Sequence, residues 1–153
     1  MVQRYETLYV AVPEITQDEA GSVEHQMAKA VKDAKGGVIS FERWGKYHLA
    51  YPIEKNDYGV YYLMRFEVDD ARKADVLAAL KQLYRVKFND LVMRNIILRL
   101  HPEGSLEYNR PESLEEAPSS DIDVIMKESK TFLKPKDADD ENDVGSKELG
   151  TEE

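Results

Sequence analysis

Between Val38 and Val68 the chain carries two long β-prone stretches separated by a proline and a short polar run, and few folds accommodate that order. Val38 to Tyr51 is rich in β-branched and aromatic residues, and Pro52 follows at once. Proline has no N–H to give to a ladder, so this strand either stops there or lies at a sheet edge. Asn56 to Gly59 supplies turn chemistry. Val60 to Val68 then alternates strictly, with Val60, Tyr62, Met64, Phe66 and Val68 on a predicted core face and Tyr61, Leu63, Arg65 and Glu67 on the other.

An αβ context surrounds this hairpin. Tyr5 to Val12 alternates as a strand with two usable faces, Leu8, Val10 and Val12 on one side and Tyr5, Thr7, Tyr9 and Ala11 on the other, and Pro13 stops it. Thr16 with Glu19 three positions later is a capping-box signature. It opens an amphipathic helix whose apolar residues Ala20, Val23, Met27, Ala30, Val31 and Ala34 run to a stop at Gly36-Gly37. Asp69 or Asp70 can cap a second helix through Ala74, Leu77, Leu80 and Tyr84, fading between Arg85 and Phe88. Leu91 to Leu100 is β-prone but apolar on both faces, so alternation does not set its register.

The resulting order β-α-β-β-α-β predicts an α+β, ferredoxin-like domain, in which a four-stranded antiparallel sheet carries two helices on one face. The other face has no local cover. With the first and third strands central, the expected open face carries Tyr5, Thr7, Tyr9, Tyr61, Leu63 and Arg65. Aromatics beside a cation on such a face can stack bases or receive another protein.

Composition divides the chain near Pro102. Through that residue there are 15 Lys and Arg against 14 Asp and Glu, and after it 6 against 16, of the 21 and 30 in the whole chain. The net charge of −9 therefore belongs to the C-terminal part. Two regions are expected: a folded domain over 1–102 and an acidic, mostly disordered extension over 103–153, whose composition cannot repay the entropy of ordering. Within the extension, Ile122, Ile125, Met126, Phe132 and Leu133 fall near helical spacing, either as a transient helix or as a segment that folds on a partner. The absence of Cys removes disulfides and thiolate ligands, and with no apolar run of membrane length and no leader pattern the expectation is a cytoplasmic, untargeted protein.

Nothing in the text points to catalysis. His25, His48 and His101 have no metal-ligand spacing, and no nucleophile elbow, phosphate loop or zinc-protease helix occurs. No cofactor, metal or small-molecule substrate is expected. An acylphosphatase-like activity would need a Gly-rich anion loop with an Arg after the first strand, where Val12-Pro13-Glu14-Ile15 stands. A ferredoxin-like regulatory domain that holds a small ligand at a dimer seam is the alternative function. Trp44 reads first as a packing anchor. Lys81, Arg85, Lys87, Arg94 and Arg99 against Asp90 alone form a locally cationic stretch, either a solvated edge or a phosphate-contacting one.

Three segments resemble a known family. Arg4-Tyr5-Glu6 opens the first strand; Gly45-Lys46 is followed by Leu49-Ala50-Tyr51-Pro52-Ile53 and Lys55; Lys87-Phe88-Asn89-Asp90 precedes Arg94 on the last strand. Over about residues 3 to 100 the chain is similar to the bacterial small-subunit ribosomal protein six family. The resemblance implies a non-enzymatic structural constituent of the small subunit that binds 16S ribosomal RNA together with small-subunit ribosomal protein eighteen. Carried over by position, Arg4, Lys46, Lys55, Lys87 and Arg94 are the expected RNA-binding cations, and Arg99 of the cationic stretch is expected beside them. Tyr5, Tyr9, Tyr51, Tyr61 and Arg65 are expected on the sheet face or against the partner protein. Tyr47 and His48 stand where family members often place further basic residues.

Overall fold

The computed structural model describes residues 1–116. Its elements follow the expected order: β1 (Val2–Ala11), α1 (Gln17–Asp33), β2 (Gly37–Ile53), β3 (Asn56–Asp69), α2 (Lys73–Gln82) and β4 (Val92–Leu100). The strands form one antiparallel sheet in the order β2-β3-β1-β4, so β1 and β3 are central and β2 and β4 are the edges. Both helices lie on one face. This is the ferredoxin-like α+β architecture.

Local chemistry explains most boundaries. Thr16 accepts from the Glu19 amide at 3.2 Å while the Glu19 carboxylate accepts from the Thr16 amide at 2.9 Å, which satisfies two free N–H groups at the start of α1. Its far end closes as a Schellman motif, with the Gly36 amide donating to Val31 and the Lys35 amide to Lys32. Lys35, not a glycine, takes the left-handed conformation at φ 57°. Gly36 is needed for a different reason: a Cβ there would sit 2.6 Å from the Glu67 carbonyl oxygen. Asp69 caps a single 3-10 turn, Asp70–Arg72, before α2 begins, and the helix ends in a π turn over Leu83–Lys87 closed by the Phe88 amide on the Leu83 carbonyl at 2.9 Å.

Two expectations are corrected. The hairpin turn is Glu54-Lys55 rather than Asn56 to Gly59, with Ile53 paired to Asn56 and both turn residues left-handed at φ 49° and 66°. That is the backbone of a two-residue primed turn, whose twist matches the flanking strands. Pro52 is accommodated within β2 because β2 is an edge strand. The second correction concerns the faces of β1. Tyr5, Thr7 and Tyr9 point to the helices and are buried, and Tyr9 is only 1 % exposed. Register decides this: Tyr5 lies opposite Phe66, Thr7 opposite Met64 and Tyr9 opposite Tyr62, and directly opposed residues share a face. Both sets on β1 are apolar enough to be core, so alternation separates them without ranking them.

The main core thus joins Tyr5, Tyr9, Val23, Met27, Val31, Tyr62, Met64, Phe66, Val76, Leu80 and Tyr84. Tyr9 stacks on Tyr62 at 5.1 Å between ring centres, and Tyr5 on Phe66 at 5.6 Å. Pairing with β1 also sets the register that β4 lacked in sequence. Asn95, Ile97 and Arg99 fall opposite Tyr9, Thr7 and Tyr5 on the helix side, which leaves Arg94, Ile96, Leu98 and Leu100 on the open side. A smaller cluster of Val10, Leu49, Ile53 and Met93 forms on the open side at the hairpin end. The expectation of an extension at 103–153 is described only through residue 116. The helical-spacing patch from Ile122 to Leu133 lies outside the described residues.

Candidate functional site

Two surfaces follow from this register: the open face of the sheet, and the end of the molecule where the β2–β3 turn, the end of β1 and the start of β4 meet. On the open face β1 contributes Glu6 and Leu8, β3 contributes Tyr61, Leu63 and Arg65, and β4 contributes Arg94, Ile96 and Leu98. Of the residues expected there, Tyr61 and Arg65 are present and Tyr5 and Tyr9 are not. Tyr51 is exposed on β2. Glu6, set among apolar neighbours on β1, is the mark in the sequence of which side is open, because it lies opposite Arg65 and accepts from its Nε at 3.2 Å.

Arg65 is nevertheless only 7 % exposed, because the chain beyond β4 returns across the face. The Leu106 carbonyl accepts from its guanidinium, and the Tyr108 ring lies over it at 4.6 Å. Tyr108 also stacks on Trp44 at 5.4 Å. Further on, the Tyr47 hydroxyl donates to the Pro111 carbonyl at 2.6 Å, the Leu114 amide donates to the Lys46 carbonyl at 2.9 Å, and Arg43 makes a two-pronged ion pair with Glu115 at 2.6 and 2.9 Å. The Arg43 guanidinium holds the Glu115 carboxyl below its usual range. Gly45, at φ 115°, makes room at the β2 bulge: a Cβ there would lie 2.6 Å from that of Ser113. Residues 106–111 therefore form a strap across the β2–β3 half of the open face, and 113–116 continue it along the β2 edge, where Glu115 reaches Arg43, opposite Tyr62 on the helix side. Sequence reasoning missed it, since an acidic run with prolines and no periodicity gives no sign of where it lies; only Tyr108 and Leu106 hinted at apolar anchors.

The six expected RNA-binding cations divide between the two ends of the sheet. Lys55 sits in the hairpin turn. The neighbouring Asn56 reaches the Met93 sulfur at 3.4 Å, and Arg94 follows directly, donating to the Met93 carbonyl at 3.0 Å. Lys46 lies on β2 with its ammonium 5.4 Å from the Tyr58 ring centre. Lys87 closes the π turn leading into β4, its ammonium 5.8 Å from the Phe88 ring centre. Among the described residues these four make no ion pair. They rim one end rather than sharing one face. Arg4 and Arg99 stand at the other end, among carboxylates: Arg4 is 4.0 Å from Glu67, and Arg99 helps hold the Asp70 carboxyl below its usual range, after the larger effect of Lys73. No group of three or more His, Cys, Asp or Glu able to hold a metal occurs among the described residues. No helix there is long and apolar enough to cross a membrane.

Comparison with known proteins bears on the family and the fold. The family model described as ribosomal protein S6 matches residues 4–99. The small ribosomal subunit protein bS6 of Caldanaerobacter subterraneus subsp. tengcongensis is 34% identical over 98 residues, 64% of this chain and 97% of that protein. The bS6 protein of Geobacter sulfurreducens is 31% identical over 119 residues, covering 78% of this chain and 97% of its own. Among solved structures, the 30S ribosomal protein S6 of Thermotoga maritima superposes with a TM-score of 0.56 at 21% identity, covering 86% of this chain and 99% of that one, a likeness of fold.

Proposed function

The chain belongs to the ribosomal protein S6 family, a structural, non-enzymatic component of the small subunit of the cytoplasmic ribosome, and from that premise we propose that it binds 16S ribosomal RNA together with small-subunit ribosomal protein eighteen. The observation that carries the RNA half is the cationic rim of Lys46, Lys55, Lys87 and Arg94, unpaired among the described residues at one end of a sheet whose other end is internally compensated. Phosphates are attracted to uncompensated Lys and Arg, which fix orientation on a folded RNA while its shape supplies recognition. Arg4 and Arg99 contribute less in this reading, since Glu67 lies 4.0 Å from Arg4 and Asp70 faces Arg99.

Four such cations make a modest footprint, with log affinity falling against log salt at a slope of roughly −3 to −4. A co-binding protein supplies the remainder, and the open face fits it: Ile96 and Leu98 are 49% and 46% exposed beside Leu8, Leu63 and Tyr61. The test is a titration of a 16S fragment from the central part of the subunit, with the companion protein present, by Lys87→Ala/Arg94→Ala. Both residues are exposed, so stability stays within about 0.5 kcal/mol. Binding should weaken at every sequence position alike and the salt slope should shrink by about 2. Unchanged affinity in dilute buffer removes these cations from the interface.

A further inference from the structure

We propose that residues 106–116 are a built-in competitor for the partner-docking face, a strap that lies on the sheet in the free protein and leaves it when the partner docks. This rests on the reading that a protein partner uses the open face. Through Leu106 and Tyr108 the strap covers Arg65, which would otherwise stand open beside Tyr61 and Leu63, and its last residues fasten it along the β2 edge. A partner reaching across the whole face meets the strap first.

The fit of the strap is loose in ways a true core contact is not. Trp44 Nε1 and Ser113 Oγ are buried beneath or within it, and neither has a hydrogen-bond partner among the described residues. A half-open pocket of about 140 Å³ lies where its margin meets the sheet, walled by Glu6, Leu8, Trp44, Ile96, Leu98 and Tyr108, so the strap does not seal against β4. Its ion pairs, Arg43 with Glu115 and Arg110 with Glu116, are each a third or more exposed on both sides, so water competes for them. Buried polar atoms left unmatched oppose closure, and release returns them to solvent or to a better acceptor. Against this stand the Tyr108–Trp44 stack and the ring over Arg65, which keep the strap down when nothing else covers the face. Hydrogen bonds from Arg65 to Leu106, from Tyr47 to Pro111 and from Leu114 to Lys46 add to that hold, so the closed strap is the resting state, and a partner that binds only the open state shifts its population.

The full-length chain tests this. Tyr108→Ala/Glu115→Gln removes the ring stack and the ion pair without touching the core, and Glu112→Gln, exposed and outside every ion pair among the described residues, controls for the lost charge. If the strap is closed nine-tenths of the time, apparent affinity for protein eighteen with the 16S fragment is held down about tenfold, and the double variant recovers that factor while the control stays within about twofold. In the wild-type complex the Leu114 amide should lose its protection from hydrogen exchange. A double variant that binds no tighter, or a Leu114 amide still protected in the complex, overturns the strap as competitor while leaving partner binding intact. If neither wild type nor variant binds the pair at all, the docking reading falls and the competitor with it.

Discussion

Thr7 is fully buried in the centre of β1 and shares a 2.8 Å hydrogen bond with the Tyr84 hydroxyl, whose other near neighbour is the Met27 sulfur at 3.7 Å. That contact ties the sheet to the end of the second helix. Thr7→Val strands a buried phenol and should cost about 1–3 kcal/mol in urea unfolding, whereas Thr7→Val combined with Tyr84→Phe should cost less than the sum of the two. The Tyr9 hydroxyl is buried with no partner among the described residues, so Tyr9→Phe is expected to be neutral or stabilising by the same measurement. Burial raises both phenols well above the usual tyrosine range, so neither ionises below strongly alkaline pH. None of this was visible in the text, where Thr7 is one alternating residue among several. The Thr16–Glu19 cap, by contrast, was legible because its chemistry is complete within four residues.

At the scale of elements, the β2–β3 hairpin holds the main disagreement between local signal and structure. Turn-forming residues lie at Asn56 to Gly59, yet the chain turns at Glu54-Lys55, placing two ordinary residues in a left-handed conformation that disfavours side chains by roughly 1–2 kcal/mol each. The reason is register: β3 is fixed by its pairing with β1, so shifting the turn would slide β2 along it and take Leu49 and Ile53 off Val10 and Met93, and that burial outweighs the strain. Glu54→Asn/Lys55→Gly should therefore stabilise the fold by about 1 kcal/mol, read as a higher denaturation midpoint with an unchanged slope. The same pair removes one rim cation, so RNA affinity should fall as stability rises. A variant whose affinity tracked its stability would show that Lys55 contributes through the fold alone.

For the described molecule as a whole, the strap links the acidic C-terminal chemistry to the sheet and makes closure depend on pH. Arg43 holds the Glu115 carboxyl below 4.5, its value when free, so protonation favours the open strap. The Glu115–Arg43 contribution is complete above that value and is lost as pH falls through the lower, closed-state one. Trp44 is the sole tryptophan and lies under Tyr108, so its emission reports closure. On acidification a red shift should begin only below pH 4.5, and Glu115→Gln should show the shifted emission already at neutral pH. An emission indifferent to both changes would mean that this ion pair does not hold the strap.

What the amino-acid order settled by itself was everything carried by short-range periodicity and composition: the β-α-β-β-α-β succession, the capped first helix, the core set on β3, and a hairpin specific enough to indicate the family. These depend on neighbours within a turn or a strand. The tertiary structure alone decided which face of β1 is buried, where β4 stands in register, which cations have no ion-pair partner among the described residues, and where residues 103–116 run. Each depends on which residues are brought opposite one another across the sheet, and alternation with a period of two yields a pair of faces without saying which one meets the helices.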